Sequence, residues 1–345
     1  MALTLPLVRG AATGTTGSVD AMMRHVEAPS SEQLEAAQRV VADHLEPTPT
    51  VTLQLRGRPV LAKLESLQIT GSFKIRGALA ALDAAHRDDP HGAVITSSAG
   101  NHGLGIAHAS SILRVPATVV VPANASAAKV KKLRHYEIEL IQFGTSYDEA
   151  QAHALELAQS RDIRYISPFN DANVIAGQAT VFDEMLSQAS EIEHVVVPVG
   201  GGGLVSGVLL ARGAHSRHDV RVTGVQPEAS AAMYHVLRGT TMSDVRHRST
   251  IADGLAGGGD DGAVTNSLIA AHEVPLVLVE EHFIRQGVRE AAESNGLVLE
   301  GSAATPYAAI VRDLVDDPAS RIGFIASGRN ISHELFVELL TEPVN

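Results

Sequence analysis

Residues 194–199 (His-Val-Val-Val-Pro-Val) form an almost unbroken apolar run that ends in Gly200-Gly201-Gly202-Gly203 and passes directly into a helix-forming stretch reaching Ala211. A strand with no polar alternation is stable only when both of its faces are covered. The same rhythm recurs along the chain. Apolar strands are predicted at 93–96, 117–121, 139–143, 164–166, 220–225, 276–279 and 321–325. Helices are predicted between them at 104–113, 127–136, 146–159, 174–189, 228–238, 281–295 and 303–314. Val/Ile strands alternating with helices specify an α/β fold with parallel-rich sheets flanked by helices.

Upstream, apolar residues at helical spacing behind Ser30-Ser31-Glu32 predict a helix over 31–45, ended by Pro47 and Pro49, and 60–65 reads as a short strand. A chain of 345 residues exceeds one ordinary core, so two domains are expected. The rhythm divides them into a large discontinuous domain, 1–91 and 169–345, and a small α/β domain inserted at 92–168. Residues 8–30 are rich in Gly, Thr, Ala and Ser and read as a flexible lead-in, and 257–262 as a mobile loop. The apolar start at 1–7 makes a poor signal peptide, because no basic residue precedes it. A formal charge of −12 argues against nucleic acid or an anionic membrane as partner. No apolar run reaches transmembrane length. The absence of cysteine excludes disulfides and thiolate chemistry and is compatible with a cytoplasmic setting.

Ligands in open parallel sheets bind beyond the carboxyl ends of the strands. Three small-residue turns lie at such ends: 97–103, 200–203 and 327–330. Successive glycine N–H groups ahead of a helix can converge on an anion, though a plain tight turn uses the same residues. Neither register of the run completes G-x-G-x-x-G, since Val205 and Ser206 stand where a third glycine would be, so one phosphate group is favoured over a pyrophosphate. Ser98, Gly100, Asn101 and His102 suit a carboxylate or a ring hydroxyl, with helix capping as the alternative. Ser327 could meet a buried heterocyclic nitrogen or act as a cap.

Before these turns comes Gly71-Ser72-Phe73-Lys74-Ile75-Arg76-Gly77-Ala78. Cap-type residues at 70–72 place Lys74 in the first turn of an alanine-rich helix, whose positive end disfavours a second cation. That suits an amine able to form a Schiff base. A solvated lysine following a cap is the other reading. Taken alone, Glu300 reads as a surface or capping residue, Lys129-Val130-Lys131-Lys132 as a solvated helix face, and most of the 16 histidines as surface residues.

Together the segments 65–78, 98–102, 198–207, 224–228, 250–254 and 327–330 resemble the fold-type II pyridoxal-phosphate enzymes, and within them the threonine/serine dehydratase group that also contains serine racemases. The resemblance implies that Lys74 carries the cofactor as a Schiff base and later moves the Cα proton. It implies that Phe73 packs on the cofactor ring, Asn101 bonds the ring hydroxyl, Gly200 to Gly203 hold the phosphate and Ser327 faces the pyridine nitrogen. Ser98, Gly100, Asn101 and His102 are then the substrate-carboxylate turn. The implied activity is elimination from L-threonine, L-serine or a related β-hydroxy amino acid, giving a 2-oxo acid and ammonia, in a cytoplasmic homodimer. The alternatives are elimination or replacement on another β-substituted amino acid, or, in a different class, a nucleotide-binding dehydrogenase or binding module using the glycine run.

Departures from the family pattern narrow the expectation. Ala99 stands where racemases carry a second serine. Gln226 and Ala232 stand where related enzymes place metal-binding carboxylates, so no metal is expected. Leu104 and Arg329 replace a glutamine and a glycine beside the substrate. The stretch after 330 is expected to be too short for the regulatory domain of biosynthetic threonine deaminases.

Overall fold

Two parallel-rich sheets carry the structure, a computed structural model that describes residues 26–257, 259–315 and 321–342. The first sheet holds β1 (Thr50–Leu55), β2 (Arg58–Lys63), β7 (His194–Pro198), β8 (Arg221–Pro227), β9 (Leu276–Val279) and β10 (Ile322–Ile325). Their order is β1-β2-β10-β7-β8-β9, with β1 antiparallel to β2 and the other neighbours parallel. The second sheet is parallel throughout: β3 (Val94–Ser97), β4 (Ala117–Val121), β5 (Glu139–Gln142) and β6 (Arg164–Tyr165), in the order β5-β4-β3-β6. The residues at 1–7 and most of the lead-in lie outside the described residues.

The helices among the described residues are α1 (Ser31–His44), α2 (Lys74–Asp88), α3 (Asn101–Leu113), α4 (Ala127–Leu133), α5 (Tyr147–Arg161), α6 (Ala172–Gln188), α7 (Gly203–Ala214), α8 (Ala232–Val236), α9 (Val264–Ala271), α10 (Glu281–Asn295), α11 (Gly301–Val311) and α12 (His333–Thr341). None is long and apolar enough to cross a membrane. Ser30 and Gln33 cap α1 reciprocally, and Asp171 accepts two backbone N–H bonds at the start of α6. On β7, Val196 packs into one core cluster while Val195 and Val197 pack into another, so both faces of the strand are buried as its unbroken apolar run requires.

Several predicted elements shift. β1 was not expected, although Val51, Leu53 and Leu55 alternate with the more exposed Thr52 and Gln54. It pairs with β2 through Arg56 and Gly57, both at positive φ, the backbone of a tight hairpin. α9 and α12 were also not expected. The strand expected at 60–65 is β2, after which Glu65–Leu67 forms a 3-10 turn. The helix expected over 228–238 is a 3-10 turn at Glu228–Ser230 followed by the five-residue α8.

The insertion of β10 between β2 and β7 decides where the site forms. It brings the chain's last strand against the loop that leads to Lys74. Ala326 N donates to Lys63 O at 2.9 Å, Ser66 N to Ala326 O at 2.8 Å and Phe73 N to Ser327 O at 3.1 Å.

Candidate active site

Lys74 is the first residue of α2. The position before it is held by Phe73 in helical conformation with no side-chain capping bond, so Thr70, Gly71 and Ser72 do not cap the helix as expected. What fixes the turn is Arg76. Its guanidinium, 0% exposed, forks onto Glu65 through Nε and Nη2 (2.8 Å each) and onto Glu184 through Nη1 and Nη2 (2.7 Å each). Lys63 completes this buried cluster at 2.6 Å from Glu184. α2 also crosses α6 with their backbones almost touching. A Cβ on Gly177 would lie 2.4 Å from Arg76 O.

Lys74 Nζ donates to Pro168 O at 2.9 Å. Burial lowers its pKa to about 8, against the opposing pull of Glu300. The positive helix end is expected to disfavour the charged amine; in the folded chain desolvation by burial is what lowers its pKa.

The glycine bend lines the same cavity as this amine. Gly202 has φ +88°, and a Cβ on Gly201 would lie 2.4 Å from Phe169 Cγ, so side chains are excluded at both positions. Thr265 Oγ1 donates to Gly201 O at 2.8 Å and ties the bend to α9. With glycine as the N-cap, no side chain satisfies the first N–H groups of α7, and the cavity runs up to them.

On the opposite wall, Gly100 N donates to Ser98 Oγ at 3.2 Å, and α3 starts with no side-chain cap. The capping alternative for this turn is therefore not taken. Asn101 instead donates through Nδ2 to Glu300 Oε1 at 2.7 Å and accepts at Oδ1 from Asn330 Nδ2 at 2.7 Å. His102 is buried, and desolvation together with the Lys74 charge lowers its pKa to about 3, so its ring is neutral.

Phe73, Lys74, Ser98, Gly100, Asn101, His102, Gly200, Gly201, Gly202, Gly203 and Ser327 all line one cavity of about 930 Å³. Thus every residue expected at the site is brought to it. Five others join them: Lys129, Lys132, Asp253, Glu300 and Asn330. Glu300 is not a surface residue, and although it precedes α11 its side chain makes no capping bond. Its carboxylate accepts from Asn101 and, at 2.8 Å, from Asn330 N, and burial followed by the charge of Asp253 raises its pKa to about 7. Lys129 and Lys132 do not form a purely solvated face. They reach from α4 to Asp253 (2.6 Å) and to Asn330 Oδ1 (3.1 Å). Asp253 and Asn330 stand within motifs already singled out, whereas nothing local marks Glu300 or the two lysines. Among the described residues most histidines are exposed, as expected, but His102 and His194 are buried.

Gln226 uses its amide on backbone, donating to Val199 O at 3.1 Å and accepting from Tyr234 N at 2.7 Å. Among the described residues no group of three or more His, Asp and Glu side chains could hold a metal ion.

A buried amine with a depressed pKa, an aromatic ring beside it and a Cβ-free helix N-terminus across the cavity fit a cofactor with an aldehyde, a flat ring and one phosphate. This is the layout of an enzyme that anchors its cofactor on lysine. The pyridoxal-phosphate dependent enzyme family model matches residues 41–328, and the chain belongs to that family. It is 34% identical to L-threonine ammonia-lyase of Thermotoga maritima over 90% of this chain and 78% of that protein. It is 36% identical to L-threonine ammonia-lyase of Geobacter sulfurreducens over 80% of this chain and 68% of that protein. The solved structure of maize serine racemase superposes with a TM-score of 0.81 at 27% identity, covering 90% of this chain and 97% of that one. The cofactor is pyridoxal 5'-phosphate, and the nucleotide-binding reading of the glycine run is set aside.

Proposed function

We propose that the protein is an ammonia-lyase that eliminates the β-hydroxyl of L-threonine, L-serine or a related β-hydroxy amino acid. The observation that carries this reading is the amine of Lys74, its pKa lowered to about 8 by burial, in one cavity with the glycine bend. Gly200 to Gly203 would grip the phosphate, Phe73 would pack on the ring, and Asn101 and Ser327 would meet the ring oxygen and nitrogen. Bound pyridoxal phosphate supplies an electron sink conjugated to the substrate Cα. The turn at Ser98, Gly100, Asn101 and His102, at the positive end of α3, receives the substrate carboxylate. The free amine of Lys74 takes the Cα proton.

The Cα–H and Cβ–O bonds break and one water leaves. Hydrolysis returns a water and releases a 2-oxo acid and ammonia, so atoms balance. Ser327, in place of a carboxylate, would offer the ring nitrogen no acidic group to hold a proton there, which would favour prompt loss of the β-group. The Ala99 methyl offers no proton donor on the opposite face, which favours elimination over racemisation. The relatives that are L-threonine ammonia-lyases support the same choice.

A small α/β domain at 92–168 inserted into a large cofactor-binding domain of 1–91 and 169–345, and a cytoplasmic homodimer, belong to this reading. The family resemblance supports the dimer, and light scattering of the purified protein tests it. For the activity, the test is incubation of the cofactor-loaded protein with L-threonine, L-serine and other β-substituted amino acids while oxo acid and ammonia are followed. Release from a hydroxy amino acid with no added nucleophile is expected. Turnover only when a nucleophile is supplied would mean β-replacement instead.

A further inference from the structure

Asn330 lies where four segments of the chain meet. Its backbone N donates to Glu300 Oε2 (2.8 Å), its Nδ2 donates to Thr70 O (2.8 Å) and Asn101 Oδ1 (2.7 Å), and its Oδ1 accepts from Lys132 Nζ (3.1 Å). An ammonium can only donate and a backbone carbonyl can only accept, so Lys132 and Thr70 together allow the Asn330 amide one orientation. That orientation propagates. With Asn330 Nδ2 facing it, Asn101 must present its oxygen there and its nitrogen to the Glu300 carboxylate at 2.7 Å. Of the two N–H bonds on Asn101 Nδ2, one is committed to Glu300 and one remains for a ligand in the cavity.

We propose that Asn330 is a positioning residue. It sets the amide of Asn101 so that one N–H is presented to the ring oxygen of the bound cofactor, and Lys132 of α4 holds Asn330 in turn. The inference rests on the functional reading above, through the role given there to Asn101. It assigns work to a residue that makes no chemical step itself. It also makes the α4 helix part of the cofactor site rather than only its rim.

The experiment is a double-mutant cycle on cofactor affinity, with the dissociation constant of pyridoxal phosphate measured by titrating apo-protein and following the absorption of the lysine-bound form. Thermal midpoints of all variants report folding. Asn330→Asp keeps size and can pair with Lys132, but it loses both side-chain donor bonds. Asn330→Asp and Asn330→Ala are each expected to weaken cofactor binding about tenfold. In an Asn101→Ala background the same Asn330 changes are expected to shift the constant less than about twofold, because the group they act through is gone. Two outcomes overturn the inference: undiminished Asn330 effects in the Asn101→Ala background, or near-wild-type affinity in Asn330→Asp, which would show that only the link to Lys132 matters. Asn330→Ser, smaller and still a hydrogen-bond donor, replaces any variant that does not fold. Wild-type protein that takes up no cofactor fails the functional reading itself, which separates the two failures.

Discussion

The two walls of the cavity are built on opposite principles. The glycine bend is a continuous piece of backbone, four residues long, whose shape leaves no room for side chains at Gly201 and Gly202. The facing wall is made of side chains from separate segments, Asn101, Glu300, Asn330 and Lys129 and Lys132 of α4, joined by hydrogen bonds and an ion pair to one another and to Asp253. The difference teaches where a site is robust and where it is tunable. The bend depends on local shape and fails by steric intrusion, whereas the polar wall depends on charge and hydrogen-bond orientation and responds to pH. Lys74 stands between them, and beneath it the Glu65–Arg76–Glu184 cluster supports the helix that carries it.

The largest effect is expected where both walls converge. Lys74→Ala removes the proton-transfer group and should lower oxo-acid release by about 10²–10⁴-fold or more. In the wild-type apo-protein the amine is protonated below about pH 8, so the rate of cofactor uptake should rise as pH is raised through that value. A rate that is flat between pH 6 and 10, measured by stopped-flow absorbance, would remove Lys74 from the comparison.

Next comes the support below the walls. Glu65→Ala leaves the fully buried Arg76 with only Glu184 as its acid and is expected to cost about 3–5 kcal/mol in urea unfolding. A loss under about 1 kcal/mol would show that α2 is held by packing alone.

A third variant, Gly201→Val, drives a branched side chain into Phe169, and about 1–3 kcal/mol of strain is expected. This should appear as weaker cofactor binding with the unfolding midpoint less affected. The reverse pattern would make the bend a structural turn first.

The smallest effect tests the polar wall. The pKa of Glu300 rises from 4.5 to about 7 on folding, so the carboxyl holds its proton more tightly in the native state. Its contribution to stability is complete below about pH 4.5 and is lost as pH rises through about 7. Thermal melts of the apo-protein between pH 5 and 8 should therefore show a flatter pH slope for Glu300→Gln than for wild type. Parallel slopes would mean that Asn101 and Asn330 already stabilise the ionised form fully.

The chain by itself determined what is local. The run of residues 194–199 followed by four glycines dictates a buried strand, a bend and a helix start, and the resemblance of segments 65–78 and 98–102 implied Lys74 and Asn101. It did not reveal β1, whose alternation spans only six residues, nor the role of Glu300, which in isolation looks like any carboxylate before a helix. Only the tertiary structure decided that Glu300, Asn330 and Lys132 meet Asn101, because that meeting requires β10 to enter the sheet between β2 and β7 and α4 to reach across the cavity. Backbone conformation is set by neighbours a few residues apart and can be read from spacing. Side-chain hydrogen bonds between positions some two hundred residues apart exist only after the sheet order has been chosen, and no short pattern encodes that order.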